Sequence, residues 1–395
     1  MSVLITFRTK PILLSILVFI ITFANSGPSV PRILLYFAFA FVLVLGFIPL
    51  LKSKTKFFNS KVIYANLALV LFNVIILFAY YENFTSIYNG LLYIACILFF
   101  LVLMNFSTNL ENVEAFIRYI SIGTKILMMF AVGLSLSGIK FKWVSRTAFL
   151  FLLLYFILLD KKTKKYGKIL YMSIWMLIAA LDGERTFLLL FPVFLLLMAF
   201  IDWIFEHKKL YKFIFVIAII LIISIPIIYV MLSHSEYKDL LNEYARKYTK
   251  GRFFSGRDAI WSNMFEYYLK GNIFFGNGHH VGPDTIYGSD LSSHNTYMSI
   301  LVRTGIIGLS LFFNFLWSIW NRYLKFKNIE AIKLSAVFLI ITMLKQSSEM
   351  ALIGNNVSVS LINWLVIAFG FIYCNSINYQ NKMERGFESE RNAKE

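Results

Sequence analysis

The sequence predicts an all-α integral membrane protein, with about 12 transmembrane helices in one bundle and one large external loop containing short amphipathic helices. Three observations lead there. Mean hydropathy is +0.71 with 59% apolar residues, above the roughly one half usual for soluble domains. Apolar runs of spanning length recur along the chain. Basic residues crowd alternate connections and almost vanish from the others, as expected of helices threading back and forth across a bilayer.

In order, the predicted spans lie near 11–25, 31–51, 61–81, 88–106, 115–136, 143–159, 168–182, 186–205, 211–232, 295–320, 334–353 and 357–376. Arg118 and Lys125 interrupt the fifth, and the seventh is short. The first resembles a signal peptide, but the second follows at once without a clear small-residue cleavage site, so it reads as a retained helix. No internal repeat is evident, which argues against a transporter built from symmetric halves.

The formal charge of +17 could point to nucleic acid, but its distribution points to topology. Lys52–Lys61, Lys161–Lys168, Lys208–Lys212, Arg322–Lys333 and the tail from Lys382 onward all fall on the side of Arg8 and Lys10. The opposite connections hold little beyond Arg32, Lys140 and Lys142. Lys/Arg-rich short loops stay cytoplasmic, so both termini are expected inside and the long polar interruption outside. The chain then divides into 1–232 (nine helices), 233–293 (the external loop), 294–376 (three helices) and a cytoplasmic tail, 377–395. Cys96 and Cys374 both sit in apolar segments, so no disulfide framework is expected for the loop.

Within the loop, Tyr237, Leu240, Leu241, Tyr244 and Tyr248 recur at helical spacing. A second helix is expected to begin at Ser255, where Ser255-x-x-Asp258 resembles a capping box. Ile260, Trp261, Met264, Phe265, Tyr268 and Leu269 form its apolar stripe, and Gly271 is its expected stop. Beyond it, Gly276, Gly278, Gly282, Pro283 and Gly288 argue against regular structure, and the chain is expected to re-enter the membrane at His294.

Chemistry is expected on this loop and on the helix ends facing it. Arg185 opens the eighth span, and a guanidinium at membrane depth needs a partner or a function; a salt bridge to Asp182 or Glu184 is the plain alternative. Arg257, in the first turn of a helix whose dipole disfavours a cation, asks for an anion, which Asp258 could also supply. Arg252 is close enough in sequence to share that role. His294 at a helix start is biased toward its neutral form, as a general base requires, although it could simply cap the helix. His279 and His280 are adjacent, lack the usual zinc-ligand spacing and have no cysteine nearby, so no metal site is expected. Lys345 and Glu349, four apart in the eleventh span, read as an intramembrane pair that could also line the cavity under the loop.

Taken together, Ser255-Gly256-Arg257 with Trp261, Phe275-Gly276-x-Gly278, Ser293-His294-Asn295 and Arg303-Thr304-Gly305-Ile306-Ile307-Gly308 resemble the O-antigen polymerase and ligase family of bacterial membrane glycosyltransferases. Gly183-Glu184-Arg185-Thr186 is similar to that family's arginine-bearing helix start. The resemblance implies a GT-C-like enzyme of the bacterial inner membrane, needing neither cofactor nor metal. It implies transfer of an oligosaccharide from undecaprenyl diphosphate on the outer face, either onto another lipid-linked repeat unit or onto lipid A-core. His294 would take the proton from the attacking hydroxyl, and Arg185, Arg257 and Arg252 would hold the diphosphate. Asn295, Ser255, Trp261, Lys345 and Glu349 would support them, while the aromatic and Gly-rich loop covered the sugars. Implied partners are the lipid-linked donor, the acceptor glycan, membrane lipid, and a flippase or chain-length regulator, with no nucleic acid. The polymerase reading leads the ligase one slightly; a transporter is the competing class, disfavoured because the candidate residues gather at one face rather than at mid-membrane.

Overall fold

A computed structural model describes residues 61–106, 109–137, 147–182, 185–249, 252–254, 256–288, 292–350, 352–353 and 357–392. The two spans expected before residue 61 lie outside them. The described residues form α-helices, with one short 3₁₀ turn, Leu324–Phe326. These are α1 (Lys61–Ala79), α2 (Phe84–Met104), α3 (Leu110–Leu136), α4 (Thr147–Leu159), α5 (Lys165–Asp182), α6 (Arg185–Glu206) and α7 (Lys208–Ser233). Then come α8 (Lys238–Thr249), α9 (Arg257–Lys270), α10 (Pro283–Tyr287), α11 (Thr296–Tyr323), α12 (Glu330–Lys345) and α13 (Val357–Asn392). The protein is a multi-pass membrane protein. Seven of the described helices are long and apolar enough to cross a bilayer: α1, α2, α3, α6, α7, α11 and α13. Of the other expected spans, α5 has 18 residues but carries Lys165, Lys168 and Asp182, α12 has 16 residues, and α4 is described over 13 residues from Thr147, where the described residues resume.

Burial separates the inner helices from the outer ones. In α13, 78% of the spanning window is buried, against 22% in α6 and α7, so α13 is central and α6 and α7 face lipid. Phe100 of α2, Phe315 of α11 and Trp364 of α13 interlock with ring centroids 5.3–5.7 Å apart. Tyr211 and Trp320 stack at 4.0 Å, and each polar tip bonds the other's backbone carbonyl, at 2.7 and 3.0 Å. Large aromatic groups can be buried this way because their single polar atoms are paired.

The connections gather at two ends. At one, Lys161 pairs with Glu114 at 2.7 Å, Lys333 with Asp202, and Asn375 Nδ2 donates to the Met104 carbonyl. This end carries the lysine-rich turns. Asp160 there is held below the usual carboxylate range: burial pushes it up, but hydrogen bonds from Ser121, Thr163, Lys162 and Lys125 outweigh that. The other end carries the α1–α2 turn, the start of α6, the end of α7, the segment 234–295 and the end of α12.

The expected continuous tenth span is instead broken. Gly305 has φ 66° and ψ −171° inside α11, a conformation open mainly to glycine. The break frees backbone groups, and the segment after α9 takes them up. The N–H groups of Asn277 and Gly278 donate to the Val302 and Arg303 carbonyls at 2.9 and 3.0 Å, and those of Ile306 and Ile307 donate to Ile273 and Phe274 at 3.0 and 3.2 Å. Backbone meets backbone so closely that a Cβ on Gly276 would lie 2.4 Å from the Arg303 carbonyl carbon, and one on Gly305 2.2 Å from the Phe274 oxygen. The Gly-rich stretch expected to cover sugars is therefore threaded into a helix break.

Candidate active site

The segment around α9 has its own small core. Ile260, Trp261, Met264 and Tyr268 of α9 pack with Val281 and with Met298 and Val302 from the upper half of α11. Four residues of the apolar stripe read from sequence form this packing face, with Phe265 partly buried beside them, whereas Leu269 is exposed; Gly271 is the C-cap. The start of α9 differs from expectation. Its N-cap is Gly256, left-handed at φ 87° with no side-chain cap; Ser255 lies outside the described residues. The region after Gly271 also holds a short helix, α10, begun by Pro283.

His294 precedes α11 rather than opening it. The N-cap is Asn295, whose side chain accepts from the Met298 N–H at 2.9 Å, while His294 takes a left-handed φ of 49°. Left-handed backbone is uncommon outside glycine, and His is among the more tolerant types. Its neighbours fix it from both sides. Trp261 Nε1 donates to the Ser293 carbonyl at 2.8 Å. Asn295 Nδ2 donates to the Ser347 carbonyl at 3.1 Å, and the Thr296 N–H to the Gln346 carbonyl at 3.0 Å. Trp261 and Asn295 thus hold the backbone on either side of a half-buried imidazole.

The electrostatics around His294 come from burial and two charged groups. Burial lowers its proton affinity, the nearby positive charge of Arg257 lowers it further, and Glu349 acts in the opposite direction. Net, the imidazole is shifted toward the neutral form, as the sequence reading anticipated, but burial rather than the helix dipole leads. Arg257 is half-buried and forms no ion pair among the described residues. Lys345 and Glu349 are paired at 3.2 Å, the lysine buried. They are not both within one helix: α12 ends at Lys345, and Glu349 stands on the following turn, its N–H bonded to the Lys345 carbonyl.

Arg185 starts α6, and its guanidinium donates to the Arg252 carbonyl at 3.3 Å. A line of contacts then leads toward the histidine. Tyr229 of α7 donates to the Phe253 carbonyl at 2.9 Å and its ring lies 5.2 Å from Trp261, which holds Ser293. Arg185 and Arg252 therefore join through backbone, and Arg257, Glu349 and His294 through charge. Tyr229 was missed in the sequence because a tyrosine near the end of a span reads as an ordinary interfacial residue.

His279 and His280 make contacts of their own with α2 and with the α1–α2 turn. His279 is buried against Tyr93 and Gly90 of α2, with its proton affinity pushed down to about 3 by burial and by Arg303. His280 Nε2 lies 2.5 Å from Glu82 in the α1–α2 turn. Arg303 donates from Nε to the Val281 carbonyl at 2.7 Å, which closes the segment against the break.

Comparison with known proteins adds a family. No curated protein matches the chain. Residues 170–313 match the family model described as O-antigen ligase, an interval that takes in Arg185, Arg252, Arg257, Trp261, His294 and the Gly305 break. The motif resemblance and this match agree, and residues 170–313 are a domain of the O-antigen ligase/polymerase family.

Proposed function

We propose that the protein is a metal-independent inverting glycosyltransferase that polymerises undecaprenyl-diphosphate-linked repeat units into O-antigen or capsular polysaccharide. The observation that carries this is His294: a half-buried imidazole biased to the neutral form, beside the Arg257 guanidinium, which has no ion pair among the described residues, inside the family's matched interval. In the proposed step, an acceptor hydroxyl oxygen bonds to the donor's anomeric carbon as the bond from that carbon to the diphosphate oxygen breaks. The hydroxyl proton passes to His294, and the bonding pair leaves on the diphosphate. Arg257, with Arg185 and Arg252, supplies positive charge where that negative charge develops. Glu349 then steadies the imidazolium formed, and Lys345 holds Glu349. One displacement inverts the anomeric centre.

Replacing His294 with Ala tests the assignment. General-base help is typically worth about 10²–10⁴-fold, so glycan assembly should fall by that order at normal protein level. Unchanged polymerisation and ligation would remove His294 from the mechanism. Arg185→Ala should weaken binding of the lipid-linked donor, and wild-type binding would sink the diphosphate assignment.

The family description, O-antigen ligase, favours a second reading: transfer of finished glycan to lipid A-core. Donor chemistry is the same and only the acceptor differs. Surface glycan from a deletion strain separates them. A single repeat unit on the core marks a lost polymerase; bare core with glycan retained on the lipid carrier marks a lost ligase.

A further inference from the structure

The segment from Gly271 to Gly278 contains no charged residue and exposes three large apolar side chains in a row: Ile273 at 41%, Phe274 at 62% and Phe275 at 44%. In water such a tip is unfavourable. Its position shows what lies against it. The Phe275 ring stacks on Phe72 of α1 with centroids 6.4 Å apart. Phe72 lies seven residues before the end of α1 at Ala79, about 10 Å down the helix at 1.5 Å per residue. Beside Phe72 runs the outward-facing stripe of α1, with Leu71, Ile75 and Phe78 all more than half exposed. Ile306, just below the α11 break, is exposed on the same level. The tip continues a surface that α1, as a membrane-spanning helix, already presents to lipid.

Backbone bonding fits the same surroundings. Non-helical backbone at membrane depth is tolerated only where its polar groups are satisfied by protein. Here the N–H groups of Phe274 and Phe275 both donate to the Asn272 side-chain oxygen at 3.1 Å, and that of Gly276 to the Asn272 carbonyl at 2.7 Å. Those of Asn277 and Gly278 go to α11, and the Ile273 and Phe274 carbonyls accept from it. Tyr268 donates a further bond to the Ile273 carbonyl at 3.0 Å. A surface turn would leave much of this to water.

We infer that residues 273–275 form a re-entrant wedge inserted among the acyl chains of the bilayer leaflet, anchoring the segment that carries Arg257 to the membrane independently of any substrate. The occupant is bulk lipid, because the exposed tip is continuous with the lipid-facing stripe of α1.

Site-directed spin labelling tests this on the full chain in phosphatidylglycerol/phosphatidylcholine nanodiscs, in a Cys96→Ala, Cys374→Ala background. Nitroxides are placed by Phe274→Cys and, separately, Phe275→Cys, so that one misfolded variant does not stop the test. Leu71→Cys gives the lipid reference and Glu266→Cys the aqueous one. The expected result is oxygen accessibility at the tip equal to that at 71, with collisions with aqueous nickel chelate several-fold fewer than at 266. Nickel accessibility matching position 266 would overturn the wedge. Shielding from both probes would also overturn it, and would point to a second copy covering the tip. None of these readings depends on glycan transfer, so they stand or fall separately from the proposed reaction.

Discussion

At the residue scale, the proposed base is a histidine whose proton affinity is lowered first by burial and then by Arg257, with Glu349 opposing. Because His294 must be neutral to accept a proton, activity should fall on the acid side as it becomes protonated. Its shift is downward, so the half-point of that acid limb should lie below the ordinary imidazole value of about 6.5. Two substitutions should move it in opposite directions. Arg257→Gln removes a charge that opposes the imidazolium, so the limb should move to higher pH, alongside a general loss from weaker donor binding. Glu349→Gln removes a charge that favours the imidazolium, so the limb should move to lower pH. The check is the pH profile of transfer from lipid-linked donor, each variant normalised to its own maximum; identical limbs would leave His294 without the base role. Sequence alone pointed to His294, Arg257 and Glu349 by residue type and position. It could not supply their proximity, because that depends on the turn after α12 rather than on any spacing along the chain.

At the element scale, the broken α11 is the least legible part of the fold and the most constrained. Gly305 sits in a run apolar enough to read as one span, and an isolated glycine in such a run gives no sign of a break. Its partner, Gly276, lies in a stretch that reads only as irregular. Each has positive φ and would drive a Cβ into opposing backbone. Gly276→Ala and Gly305→Ala should each lose at least about 1–2 kcal/mol from the left-handed conformation alone, with the steric overlap adding to it. Gly133→Ala in α3 is the contrast, since nothing lies within 4 Å of its would-be Cβ; helix propensity there favours alanine by up to about 1 kcal/mol. Thermal unfolding in detergent should rank the three accordingly. The apolar stripe of α9 and its stop at Gly271 were legible, because periodicity and a C-terminal glycine are local signals. Its start was not, since Gly256 rather than a side-chain oxygen occupies the cap.

At the scale of the whole molecule, helix content and membrane character followed from composition, and the described helices fall close to the expected runs. Full spanning length did not follow for α12, whose helix stops at Lys345, eight residues before the end of the expected run, while α5 is limited by the charges at its ends rather than by its length. The basic turns do collect at one end of the bundle and the candidate site at the other. If the basic end is cytoplasmic, as the charge rule requires, Thr285→Cys should react with a membrane-impermeant maleimide in intact spheroplasts. Lys164→Cys should react only after lysis. The reverse pattern would invert the topology and with it the side on which donor is used.

The lock between the Gly276 segment and the Gly305 break also has a consequence for biosynthesis. The ribosome delivers 273–278 roughly 25–33 residues before the carbonyls and amides that complete it. Until 302–307 has entered the membrane, the early partner has nothing to close on. The lock therefore closes only after residues 302–307 have been made. A nascent chain halted before α11 lacks the backbone on which the Gly276 segment closes.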